Sequence, residues 1–385
     1  MRRLAPCFAI AKSTRAMVLS LSCFLLFGCS SEGNFASFPG FAEHFEAKPP
    51  RTTVPTAEEQ ALLERFRPRV YLAENQPSFV DFYSDYIAHG RLKLNNTVVS
   101  EQVSQALLNQ YKNNAAAEFV HDTGHHNDTT PTVFARVDYD SLQLDDQSWD
   151  LSFLSYNLVF PSSGLLAEIP WFARSALGVV ADLDDWHQLD HYVGVTVVLY
   201  QQEPIAYYLQ QHNYQSTYVL AEQQNWPADN RVQVDVAFRS NELYRHSADR
   251  QRHPGLSFVE VDSMEFYKTG RNKPMMAGWD ITHGELEQEY ELAFLAPDDA
   301  FYQFKGRLGE ARRLPGRDGP PGADYVTLPG LMKWSHRLVA GYRPQSVERE
   351  RQKLNALFDK QNFLIKAPGI RAYVHDFVQA WQGPH

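Results

Sequence analysis

Arg231-Val232-Gln233-Val234-Asp235-Val236-Ala237-Phe238-Arg239 alternates along its length. Val232, Val234, Val236 and Phe238 fall on one side, and Arg231, Gln233, Asp235 and Arg239 on the other. That period of two predicts an antiparallel strand with one buried and one wet face. Before it in the chain, residues 191–200 (HYVGVTVVLY) and 205–209 read as a strand pair, with Glu203-Pro204 as its turn. Residues 69–73, 132–138, 149–160, 256–266 and 289–295 continue the β pattern. Helical spacing is confined to 57–67, 101–111 and the tail from 345 to 381, which Pro368-Gly369 interrupts. Residues 163–180 are apolar but carry Gly164, Pro170 and Gly178, which predicts a broken helix or wrapped loop. The expected fold is mainly β: an antiparallel, jelly-roll-like β-sandwich with peripheral helices, including a helical C-terminus.

The chain has 385 residues, 44% of them apolar, which is enough to bury a sizeable core. Its net charge of −10 gives no general footprint for nucleic acid. Arg2, Arg3, Lys12 and Arg15 precede an apolar run from Ala16 to Phe27, too short to span a bilayer and suited to a signal peptide. The run closes on Leu26-Phe27-Gly28-Cys29, which resembles a bacterial lipobox. All three cysteines (Cys7, Cys23, Cys29) lie in the first 29 residues, so an exported body would hold itself together without disulfides. The expectation is a signal peptide over 1–28, a lipidated Cys29 and a flexible tether over 29–55. Cleavage would remove four basic and no acidic residues, moving the net charge from −10 to −14. With Ser30 following the cysteine and no Asp there, the expected address is the outer membrane of a Gram-negative bacterium, facing periplasm or cell surface. Residues 56–300 are expected to form the β-sandwich, and 301–385 a Gly/Pro-rich loop and helices packed on it.

The chain carries no G-x-S-x-G, H-E-x-x-H, P-loop, G-x-G-x-x-G or C-x-x-C motif. The leading candidate site is therefore a scattered one. His187 and His191 lie four apart, Asp190 could ligate or fix an imidazole tautomer, and His212 closes the next predicted strand. Together they would suit one divalent ion able to polarise a phosphate or glycosidic oxygen. A second His/Asp cluster, 121–128, reads as an exposed loop. Lys305, Arg307, Arg312, Arg313 and Arg317 form a local basic run suited to phosphate or lipid contact. The apolar stretch 165–177 could dock a protein partner or pack as core.

Three stretches together resemble the vacuolar protein sorting-associated protein sixty-two-like family. They are Pro68-Arg69-Val70-Tyr71-Leu72-Ala73-Glu74, then 191–198 running on to Tyr208-Leu209-Gln210-Gln211-His212, and Val236-Ala237-Phe238-Arg239-Ser240-Asn241-Glu242-Leu243-Tyr244. The resemblance is patchy over about 66–245. It implies kinship with necrosis-inducing secreted proteins, β-sandwiches with an acidic, metal-binding rim. Where the family has Asp-Trp-Glu this chain has His191-Tyr192-Val193, and where it has Ser-His this chain has Ser240-Asn241. His212 keeps the matching histidine.

Three functions follow as expectations. The first is an anchored module that binds a glycan or lipid headgroup of the envelope. The second is a metal-dependent hydrolase of an envelope glycan or phosphoester. The third is an assembly lipoprotein that docks to a protein partner. Whether the chain is an enzyme stays open at this level.

Overall fold

A computed structural model describes residues 51–122, 129–144, 147–164, 186–190, 194–211, 214–219, 229–250, 258–260, 264–265, 275–277, 280–281, 283–304 and 306–309. Cys29, the apolar stretch 165–177 and the C-terminal tail lie outside them. In chain order the elements are α1 (Ala57–Arg65), β1 (Arg69–Leu72), β2 (Gly90–Leu94), β3 (Thr97–Ser100), α2 (Gln105–Tyr111), β4 (Ala117–His121), β5 (Thr132–Leu144), β6 (Gln147–Asn157), β7 (Phe160–Gly164), β8 (Trp186–Asp190) and β9 (Gly194–Tyr200). They continue as β10 (Glu203–Gln211), β11 (Tyr214–Val219), β12 (Gln233–Val236), β13 (Leu243–Arg245), β14 (Phe258–Glu260), β15 (Met264–Glu265), β16 (Met275–Ala277), β17 (Leu286–Glu287), β18 (Glu291–Phe294) and α3 (Ala300–Gln303). The chain is mainly β, as its alternation predicts.

The largest sheet runs β15-β11-β10-β9-β6-β5-β18 and is antiparallel except where β18 lies parallel to β5. A second sheet runs β13-β12-β1-β17, with β1 parallel to β12. One apolar cluster draws Val133, Leu154, Val197 and Leu209 from the first sheet and Val70, Leu72, Val234 and Val236 from the second. A second cluster sits over the three-stranded sheet β3-β2-β4, where Phe82, Tyr86, Phe119, Phe134 and Phe301 are fully or almost fully buried. Phe134 and Phe301 stack with ring centroids 4.8 Å apart.

Local chemistry explains the helix starts. Thr56 and Glu59 form a reciprocal capping box on α1. Ser104 caps α2 through the Leu107 N–H. The bends that sequence left unplaced include a π-helical turn, Phe82–Tyr86, started by the Asp81 carboxylate accepting from Tyr83 and Ser84 N–H.

Three expectations are corrected. The hairpin between β9 and β10 turns at Gln201-Gln202, both with left-handed φ (50° and 67°), and Pro204 lies inside β10 next to a bulge. Two consecutive positive φ values match the strand twist, as in a type I′ turn, though Asn-Gly would be the usual sequence there. His121 is not on an exposed loop: it ends β4, buried, with its ring 4.3 Å from that of Tyr86. Asp235 is not on a wet face: its side chain is 0% exposed, covered by groups that converge on it from His246, Ser247, Arg250 and Gly284.

The segment ends are built in. Arg51, near the end of the expected tether, pairs with Glu59 at 2.7 Å, and its carbonyl accepts from Asp298 N–H. Arg307 N–H donates to the Ala117 carbonyl, and Phe119 N–H donates to that of Arg307. Among the described residues no helix is long and apolar enough to cross a membrane.

Candidate metal centre

The buried carboxylate of Asp235 organises a group that the sequence left scattered. In the parallel pairing of β1 with β12, Tyr71 stands level with Asp235. The β12–β13 hairpin then returns the chain antiparallel, and His246 N–H extends the ladder onto the Gln233 carbonyl. The return is tight because Asn241 adopts φ 61°, which Asn tolerates better than most side chains. Arg239 and Ser240 N–H groups inside that turn donate to Asp280.

Four donors converge on Asp235. His246 Nδ1–H donates to Oδ1 at 2.7 Å and Gly284 N–H to the same oxygen at 3.0 Å. Arg250 Nη1 donates to Oδ2 at 2.6 Å and Ser247 N–H at 3.2 Å. A carboxylate this deeply buried is tolerated because charge-assisted bonds replace its lost hydration. Gly284 is required by close approach: a Cβ there would meet the Tyr71 backbone at 2.5 Å.

His246 is held from two sides. The Tyr71 ring stacks on it at 4.0 Å, and the His283 ring lies 5.0 Å away on a neighbouring segment. Ligation of one ion by both His246 and Asp235 would use Nδ1 and a carboxylate oxygen, replace their hydrogen bond and leave the imidazole proton on Nε2. One ligand atom each from Asp235, His246 and His283 all lie within 4.8 Å of one another. Nitrogen and oxygen donors at about 2.0–2.2 Å from a zinc ion stand roughly 3.3–3.6 Å apart, so seating one would open the 2.7 Å His246–Asp235 pair to that spacing.

The sequence-predicted residues fare differently. Asp190 ends β8, fully buried, and its Oδ2 accepts from Asn241 Nδ2 at 3.1 Å. The preceding Leu189 adopts φ 46°. The β8 backbone places His187 opposite Ser163. His191 and His212 lie outside the described residues, and so does the His187 side chain. Asp190 therefore meets Asn241 of the turn that leads into β13. Arg307 is half-buried with Nη1 3.4 Å from Glu118 Oε1, whereas Lys305, Arg312, Arg313 and Arg317 lie outside the described residues. Asp235, His246 and His283 were missed by the sequence reading. The available signal was an acid inside a valine-rich strand with a histidine at hairpin distance.

Comparison with protein-family models, with curated proteins and with solved structures found no match for the chain.

Proposed function

We propose that this chain is a lipid-anchored protein of the bacterial outer envelope that engages its ligand through a divalent-metal centre at Asp235, His246 and His283. The observation that carries the reading is the convergence of two imidazoles and a carboxylate within 4.8 Å, anchored on one buried side chain. The leader ending at Cys29 and the cysteine-free remainder support the anchored address. The apolar cluster common to the seven-stranded and four-stranded sheets supports a sandwich-like body beneath the site. Two histidines and a carboxylate leave a coordination position for water or ligand, so metal-dependent hydrolysis is the second reading, favoured by that donor set.

Metal content tests the proposal. The Cys29→Ser chain, purified without chelator and titrated with zinc, is expected to bind one ion. His246→Ala and His283→Ala should each lose it while keeping the circular dichroism of a β-rich fold. Zinc uptake that is absent, or unchanged in both variants, would sink the reading.

A further inference from the structure

Arg250 is the charged member of this centre that cation binding does not need. A positive side chain held beside a cation site weakens the site unless something negative completes it. Its Nη1 lies 2.6 Å from Asp235 Oδ2 and its Cζ sits 5.5 Å over the Tyr244 ring, while the side chain keeps 21% of its surface in solvent. The guanidinium is thus fixed in place with part of its donor fork still reachable. With a divalent ion bound, the ion and Arg250 together outweigh the single charge of Asp235 by two positive units, the imidazoles being neutral. That local excess stands out in a chain whose net charge is −10.

Resting on the metal reading above, we infer that the centre takes a phosphate group, one oxygen on the ion and another on the Arg250 fork. A phosphate monoester carries about −1.5 to −2 charge at neutral pH, which matches the excess, whereas a carboxylate would leave half of it uncompensated. The tetrahedral group also offers separate oxygens to the two positive partners, and a guanidinium fork fits phosphate oxygens in pairs. The same chemistry is present in a soluble phosphate ester and in a phosphate-bearing lipid headgroup.

The test uses the full Cys29→Ser chain, first titrated with zinc and then, zinc-loaded, with inorganic phosphate by calorimetry. Arg250→Lys keeps a charge against Asp235 but loses the fork, so it guards against simple misfolding of Arg250→Ala. Phosphate binding that needs zinc and falls about tenfold or more in Arg250→Lys, with zinc stoichiometry still at one, is the expected result. Equal phosphate affinity in the two proteins, or equal competition by acetate, would overturn the phosphate assignment alone. No zinc uptake in the first titration overturns the metal reading, and this proposal with it. Phosphatidylcholine vesicles with and without phosphatidate separate the sources. Zinc- and Arg250-dependent recruitment by phosphatidate assigns a lipid headgroup, and phosphate binding without recruitment assigns a soluble ester.

Discussion

Asp235 shows how one residue can set the character of a site. Its charge is tolerated inside a sheet because an imidazole, a guanidinium and two backbone N–H groups all point at it. Asp235→Asn would turn half of that acceptor into a donor facing donors. Breaking a buried charge network of this kind costs about 3–5 kcal/mol, so the variant should unfold at clearly lower urea. A loss below about 1 kcal/mol would mean the network is far weaker than its geometry implies. The sequence showed Asp235 only as the polar side of an alternating strand. Alternation reports which side chains share a face, but the groups that cover Asp235 come from His246, Ser247 and Arg250 beyond the hairpin and from Gly284, 49 residues on. His283 carried no readable spacing for the same reason.

At the scale of elements, α1 is fastened to the body by charge as well as packing. Glu59 closes the capping box with Thr56, receives the Arg51 fork at 2.7 and 3.1 Å, and accepts from Tyr139 Oη at 2.8 Å. The Arg51 guanidinium, helped by the Thr56 N–H and the Tyr139 hydroxyl, holds its carboxyl down at about 2, from the usual 4.5. Burial, and then the Glu59 charge, pushes the Tyr139 phenol up to about 12. A depressed carboxylate stabilises the fold above its unfolded pKa, and that contribution is lost as pH falls through the folded one. The window is therefore from about pH 4.5 down to about 2. Glu59→Gln should cost about 2 kcal/mol at pH 7, and its gap to the parent chain should close across that window. Parallel urea stability profiles for the two proteins would contradict this coupling. Much of this element was legible: Thr56-x-x-Glu59 ahead of apolar spacing is a helix start that sequence alone can read. Gln201-Gln202 was not, because nothing in two glutamines announces consecutive left-handed residues, whereas Glu203-Pro204 beside them carries the commoner turn chemistry.

For the whole molecule, the proposed lipid anchor at Cys29 would sit on a chain with no cysteine after it. In cells, the parent chain should fractionate with membranes and be released by detergent, while Cys29→Ser should appear in the soluble fraction. Finding both in membranes would remove the lipid as the anchor. The mainly β character was legible because strand alternation is a local property. The grouping of strands was not, since β18 joins β5 and β1 joins β12 by parallel contacts that no hairpin signal marks.

Those two parallel joins also govern assembly in time. Tyr71 waits on β1 for Asp235, then for the chain around Gly284, before the centre's walls exist. Closing such long loops costs entropy before any contact repays it, so slow folding is the expected outcome, checked by stopped-flow refolding from urea. A polypeptide that stops before His283 would lack the complete centre, whatever its β content. The site thus reports that the chain has been made and paired as far as His283 and Gly284.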